Sequence, residues 1–302
     1  MIETVEFYSH GVLICGTIHI PKEAKPGKPL PAVVMSHGMA NNRDEADQHS
    51  YLGDRLEEAG YIVLRFDFRG CGLSGAPRGQ MFIGTEWPQD LRAAITYLEN
   101  RPEVDPERIA AIGSSWGGGV TIYTTAVDRR IRCAVSLAAP ANGKRWLQTQ
   151  WTTWHGQSGW EQFQADIALN RRQIVAGKPS KTVRLIGGFI PVNDSQLPIL
   201  DQFLADHPYI VSDIPLEIAD DIFQFSPEDV VSRVAPAPLL IIHGTADPLV
   251  DYHEALAYYG LAGKGKDLFL VEGGIHQLLS GETAGLVGDR ILDWLKESLA
   301  GR

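Results

Sequence analysis

The chain has 302 residues, 44% of them hydrophobic and 21% charged, and carries a formal net charge of −10. That composition is typical of a globular protein. The acidic balance excludes the basic face that sequence-independent nucleic-acid binding needs, and no polybasic segment is present to hold an anionic membrane.

Two β-like runs open the chain, near residues 3–9 and 11–20, with Gly11 between them. Met1 to Glu6 lacks the basic segment and long apolar stretch of a secretory signal. No uninterrupted apolar stretch is long enough to span a bilayer. A cytoplasmic location is the default expectation. Pro21 to Pro31 is rich in Pro, Lys and Gly and reads as a loop. Ala32 to Ser36 is then a short apolar run that stops at His37-Gly38. Short apolar runs bounded by turn signals fit buried parallel strands. Tyr61 to Phe66, Arg108 to Ile112, Cys133 to Leu137, Leu239 to Ile242 and Leu268 to Val271 have the same form.

Helical patterns lie between these runs. Tyr51 to Ala59 has helical apolar spacing and Gly60 as its stop. In Trp87 to Leu98, apolar residues fall at Leu91, Ala94, Ile95 and Leu98, which is helical periodicity. Helices are also expected after Ser115, after Asp251 and over Glu282 to Leu299. Strands alternating with helices predict an α/β fold, a mostly parallel doubly wound sheet. The alternation breaks between Pro140 and Pro238, a stretch that opens with Trp146, Trp151, Trp154 and Trp160. The expected organisation is therefore a core of residues 1–140 and 236–302 with an inserted, mostly helical cap of residues 141–235. Such a cap would cover the strand edge where open α/β sheets bind ligands. Its four tryptophans are candidate substrate-binding residues, because pockets are lined mainly by apolar and aromatic groups. They would serve equally to fasten the cap to the core.

The strongest chemical signal is Gly113-Ser114-Ser115-Trp116-Gly117, between the strand Arg108–Ile112 and a helical pattern. A sharp strand-to-helix turn lifts the middle side chain above the sheet and needs small residues two positions to either side. Ser115 is the candidate nucleophile. Ser114 lacks a glycine two residues before it. A serine hydroxyl needs a base to take its proton, and His276, after the last strand, is the candidate. The imidazole needs a carboxylate to hold it. Asp247, after the strand ending at Ile242, is the candidate, with Asp251 expected instead to start the next helix. The oxyanion needs backbone N–H donors. Trp116 would supply one and Met39 the other, with Gly38 as the alternative. His37 and His243, each before a glycine at a strand end, are expected to brace their loops.

In this order, His37-Gly38-Met39, Asp67 to Ser74, Gly113 to Gly117, Asp247 and His276 resemble the landmarks of the α/β-hydrolase superfamily. The Asp67-to-Gly75 segment is similar to that of bacterial esterases near the dienelactone-hydrolase, feruloyl-esterase and Xaa-Pro-peptidase-like groups. The resemblance covers roughly residue 30 to the C-terminus apart from the insertion. It implies a serine hydrolase that cleaves a carboxylic ester through an acyl-enzyme, acting on a small molecule without metal or organic cofactor. Serine at the nucleophile position departs from dienelactone hydrolases proper, which use cysteine, and from dehalogenases and epoxide hydrolases, which use aspartate. The alternatives are a peptidase or amidase, for which Glu217, Asp220 and Asp221 could bind the substrate's amine, and a carbon–carbon bond hydrolase or acyltransferase on a secondary-metabolite substrate. Asp67 and Arg69 are expected to pair and brace their loop. Cys15, Cys71 and Cys133, far apart in sequence, suggest neither a disulfide framework nor a zinc site. The oligomeric state, a homodimer included, stays open.

Overall fold

The computed structural model describes residues 1–25, 27–193 and 197–300. Its centre is an eight-stranded sheet assembled from β1 (Ile2–Ser9), β2 (Val12–His19), β3 (Leu30–Ser36), β4 (Ile62–Phe66), β5 (Val104–Ser114), β6 (Ile131–Leu137), β9 (Leu239–Gly244) and β10 (Lys266–Val271). Their spatial order is β1-β2-β4-β3-β5-β6-β9-β10. The β1–β2 and β2–β4 pairings are antiparallel, and the rest are parallel. Every residue of β4 and of β9 is buried. This is why these strands read as unbroken apolar runs: helices cover both faces of a parallel sheet, so no face is left for polar residues.

The helices of the core are α1 (Gln48–Glu58), α2 (Trp87–Glu99), α3 (Trp116–Val127), α7 (His253–Leu261) and α8 (Thr283–Leu299). In α2 the stripe Leu91, Ala94, Ile95 and Leu98 is buried, as its spacing requires. The two largest apolar clusters flank the sheet. One gathers Val33, Met35, Ile112, Val135 and Ile242 with Leu52 of α1 and Ile291 of α8. The other gathers Val34, Leu64, Phe66 and Ala111 with Leu91 of α2 and Val120 of α3.

Between β6 and β9 the chain forms α4 (Gly143–Val175), β7 (Thr182–Arg184), α5 (Leu197–Asp206), β8 (Asp213–Pro215) and α6 (Ile218–Gln224). The 33-residue α4 is two helical pieces joined at Gly156, whose φ of 68° and ψ of −176° are not helical. The sequence reading contained no strand here. The three-residue β7 and β8 pair antiparallel and are too short to leave an alternating pattern. Trp146, Trp160, Phe163, Phe189 and Phe225 of this segment belong to the same apolar cluster as Phe66, Leu91 and Val120. The insertion therefore shares one hydrophobic body with one face of the sheet. Among the described residues, no helix is long and apolar enough to cross a membrane.

Candidate active site

Parallel strands end on the same side of the sheet, so the loops after β3, β5, β9 and β10 gather at one edge. The loop after β5 is the sharpest. Ser115 stands between β5 and α3 with φ 51° and ψ −126°, a conformation that costs a non-glycine residue about 1–3 kcal/mol. The turn that imposes it is crowded. A Cβ on Gly113 would lie 2.2 Å from the Gly117 carbonyl oxygen, and a Cβ on Gly117 would lie 2.2 Å from the carbonyl oxygen of Ser36. The Ser115 amide donates to Leu137 O at 2.8 Å, and its carbonyl accepts from Gly118 N at 2.9 Å. These bonds lock the strained residue in place at the positive end of the α3 dipole. Among the described residues, the Ser115 hydroxyl has no hydrogen-bond partner.

The loops after β9 and β10 are lashed together. Ala246 N donates to Gly274 O at 2.9 Å, and Gly273 N donates to Thr245 Oγ1 at 2.8 Å. A Cβ on Gly244 would meet the Gly274 carbonyl oxygen at 2.2 Å, so the close approach requires glycine. Across this junction His276 Nδ1 donates to Asp247 Oδ2 at 2.7 Å. The Asp247 side chain is fully buried, whereas that of His276 is 14% exposed. Asp247 Oδ1 accepts from Leu249 N at 2.8 Å and Val250 N at 3.0 Å. Burial opposes its charge, but hydrogen bonds from His243 and His276 outweigh that and hold the carboxyl well below the usual range. Asp247 therefore fixes the Nδ1–H tautomer of His276 and leaves Nε2 free to face a substrate.

Asp251 lies outside this pair. It is exposed and accepts from His253 N at 2.9 Å just ahead of α7, the helix-starting position expected of it. The two other histidines brace their loops. His37 Nδ1 donates to Gly38 O at 2.7 Å and its Nε2 accepts from Phe68 N at 3.0 Å. His243 Nε2 donates to Val250 O at 2.8 Å and lies 3.3 Å from Asp247 Oδ2.

Two backbone amides beside the Ser115 turn are unused. Those of Met39 and Trp116 make no hydrogen bond to another described residue. The Gly38 amide is already used: it donates to Glu45 Oε2 at 2.6 Å. Glu45 was not foreseen from the sequence, where Asn41 to Asp47 is a polar loop with no distinguishing pattern. A residue that works by folding back seven positions leaves no periodic signal.

The expected Asp67–Arg69 pair does not form. Asp67 accepts from Arg43 N at 2.7 Å and Leu73 N at 2.9 Å, and pairs with Arg43 Nη1 at 3.2 Å. Arg69 instead makes a buried pair with Asp90 of α2 at 2.6 Å. Two residues apart in an irregular loop, the side chains diverge, and each finds a partner from another element.

The four tryptophans of the insertion have different surroundings. Trp146 is buried edge-on against Trp116, with ring centroids 5.1 Å apart, and its Nε1 donates to Leu249 O at 2.8 Å. Trp151 stacks on Phe163 at 4.4 Å and donates to Phe189 O at 3.1 Å. These two rings line a cleft of about 250 Å³ with Lys181, Val183 and Leu216. Trp160 is packed between Phe163 and Phe223. Trp154 is 40% exposed. Of the three acids considered for an amine, Asp220 pairs with Arg171 at 2.9 Å. Asp221 is buried and accepts from Gly84 N at 2.6 Å and Thr85 Oγ1 at 2.8 Å. Burial pushes its carboxyl up. Both tie the insertion together or to the core. The Glu217 side chain is half-buried.

An eight-stranded, mostly parallel sheet of this order, with its strand-end loops converging on one edge, is that of an α/β hydrolase. The chain belongs to the family described as Hydrolase_4, serine aminopeptidase, S33, whose model matches residues 27–284. The quorum-quenching protein AidA of Acinetobacter baumannii (strain MDR-ZJ06) is 35% identical over 114 residues, which are 37% of this chain and 36% of AidA. Among solved structures, the α/β hydrolase GrgF from Penicillium sp. sh18 aligns with a TM-score of 0.82 at 21% identity, over 99% of both chains. Est1E from Butyrivibrio proteoclasticus, solved with ferulic acid bound, aligns with a TM-score of 0.70 at 18% identity, over 98% of this chain and 99% of its own. At such identities these two establish the fold.

Proposed function

We propose that the protein is a serine hydrolase that cleaves a carboxylic ester of a small molecule through an acyl-enzyme. The observation that carries this reading is the pairing of a strained Ser115, whose hydroxyl has no partner among the described residues, with a buried Asp247–His276 pair at 2.7 Å, on loops that end at the same sheet edge. In the reaction, Ser115 Oγ attacks the carbonyl carbon while His276 Nε2 takes its proton. Asp247 holds the imidazole and stabilises its charged form. The Met39 and Trp116 amides receive the oxyanion, the role that the use of Gly38 N by Glu45 leaves to Met39. His276 then protonates the leaving alcohol, and a water activated by the same imidazole releases the acid. Among the described residues no hydrogen bond joins the hydroxyl to the imidazole, and catalytic hydrogen bonds often tighten only once substrate is bound. Residues 141–235 act as the cap, with Trp146, which packs against Trp116, and Trp151, which lines a cleft, as the candidate contacts for an acyl or aryl group.

Peptide or amide hydrolysis is the second reading, favoured by the family's description as serine aminopeptidases. The engagement of Asp220 and Asp221 elsewhere leaves Glu217 as the remaining acid for a substrate amine. A panel of chromogenic esters, anilides and thioesters with graded acyl length separates the two. Turnover of esters with anilides inert supports the ester reading, and the reverse order overturns it. A fluorophosphonate should label Ser115, and labelling of a different serine would remove the nucleophile assignment.

A further inference from the structure

Glu45 is a buried carboxyl that the mechanism above does not use. Its Oε2 accepts from Gly38 N at 2.6 Å, and Asn41 Nδ2 lies 3.4 Å from Oε1. Two donors thus converge on one acceptor-only group, and the neighbouring Ser114 hydroxyl favours its charged form. A Cβ built on Gly38 would lie 2.9 Å from Glu45 Oε1 and 3.0 Å from Ser115 Cβ, so the carboxyl and the nucleophile crowd the same face of that glycine.

An ion pair does not account for this carboxyl. Among the described residues no Lys or Arg reaches it, and the nearest basic side chain is His49 of α1 at 3.8 Å. Burial, then the charges of His37 and Arg65, push the His49 imidazole down to about 3, so it is neutral. Beside Glu45, His49 Nε2 is hydrogen-bonded to Ser114 Oγ at 3.0 Å. The other titratable groups around Glu45 are His276 after β10, Cys71 after β4 and Tyr209 of the insertion. Burial pushes the Glu45 carboxyl up to about 7, against the bond from Gly38 and the nearby Ser114 hydroxyl and His276. A group held at that cost does not serve stability.

The backbone around it is strained as well. Glu45, Ala46 and Asp47 have φ of 49°, 50° and 67°, and Ala40 has φ 64°. Four non-glycine residues in this region, in one loop, persist only where the surroundings over-determine them, and such strain collects at functional sites. The loop is tied at Ala40 O by Val211 N at 2.8 Å and at Arg43 N by Asp67 at 2.7 Å.

We infer that Glu45 is a positioning residue for the acyl-transfer site: it holds the amide of Gly38 against the Ser115 turn and so fixes the Met39 amide relative to that turn. The inference rests on the proposed function. Its test crosses two substitutions in the full-length protein, with the best ester of the panel as probe. Glu45→Gln keeps the reach and an acceptor for Gly38 but loses the charge. Glu45→Asp keeps the charge and withdraws the acceptor by one methylene. Asp is expected to lower kcat about 100-fold with KM within about threefold, the size of effect that small misplacement of an oxyanion donor produces. Gln is expected to stay within about tenfold of wild type. At pH 5 both should melt no more than a few degrees from wild type. If Gln falls as far as Asp or further, the charge and not the tie matters, and the inference is overturned. Wild-type kcat in Glu45→Asp, or a loss confined to KM, overturns it too. Ser115→Ala run alongside separates the failures. If it stays active the acyl-enzyme reading itself fails, and if it is dead while Glu45→Asp is unimpaired only the role of Glu45 falls.

Discussion

The strand-end loops and the insertion meet the same edge of the sheet but are held by different forces. In the loops, backbone touches backbone: Gly113 against Gly117, Gly117 against Ser36 and Gly244 against Gly274, each with room for no Cβ. In the insertion, rings touch rings: Trp146 on Trp116, Trp151 on Phe163 and Trp160 on Phe223. A backbone contact fixes a catalytic atom to within a fraction of an ångström and admits one residue type. A ring contact is worth about 0.5–1.5 kcal/mol beyond the area it buries and tolerates other apolar groups. The loops are thus suited to chemistry and the insertion to selection. If that division holds, substitutions in the loops should strike kcat, and substitutions in the insertion should strike stability or substrate preference.

The sharpest break would come at Ser115. Ser115→Ala should lower kcat by about 10⁴-fold or more and leave the melting temperature within a few degrees, because the methyl group keeps the same backbone. Substantial turnover in the purified variant would sink the division at its centre. Asp247→Asn comes next. It should lose on the order of 10⁴-fold in kcat, since the amide favours the wrong imidazole tautomer. Asp251→Asn, in an exposed position before α7, should stay within about threefold. Steady-state kinetics on the pair decides, and a reversed order would move the acid to Asp251.

The pH dependence of stability distinguishes two carboxyls within the loops. The Asp247 carboxyl is held below its unfolded value of about 3.9. Its contribution is therefore present above that pH and lost as the pH falls below it. Glu45 is the opposite case, pushed up to about 7 from an unfolded value of about 4.3. The folded state binds the extra proton between these values, so stability falls as pH rises from about 4.3 to about 7 and stays lowered above. Relative to wild type, Asp247→Asn should be progressively less destabilised toward pH 3. Glu45→Gln should gain stability from pH 5 to pH 8, by on the order of 3 kcal/mol if the whole displacement is expressed. Denaturant titrations at pH 3, 5 and 8 measure both, and parallel curves for the two variants would refute the opposite signs.

The same division explains what could be read from the sequence. Ser115 was legible because a steric rule acts over five consecutive residues, and Asp247 and His276 because each closely follows a buried strand. The parallel strands were legible because burial on both faces forces unbroken apolar runs. Glu45 was not, since its partner Gly38 and its neighbour Ser114 lie seven and 69 positions away and no spacing rule links them. Arg69 was assigned to Asp67 by proximity in sequence and belongs to Asp90, 21 residues on. The β7–β8 pair was too short to show alternation. What escaped was in each case set by side chains meeting from distant elements.

The finest test of the comparison lies among the four tryptophans, because they differ in surroundings while sharing one residue type. Trp160 is buried between two rings, so Trp160→Ala should cost about 3–5 kcal/mol of stability and leave the ratio of kcat/KM between bulky and small esters unchanged. Trp154 is 40% exposed. Its truncation should change stability by no more than about 0.5 kcal/mol, and any effect on the ratio would place it at the rim of the pocket. Trp146 bears on both properties, since it packs against Trp116, the residue after Ser115. Trp151 faces a cleft with Phe163. Truncating either should shift the ratio by about tenfold, the scale of a lost apolar contact in a specificity pocket, and Trp146→Ala should destabilise as well. If all four variants keep the wild-type preference, the insertion does not select substrate through these rings. Its aromatic cluster is then packing alone, and selection must be sought in the strand-end loops themselves.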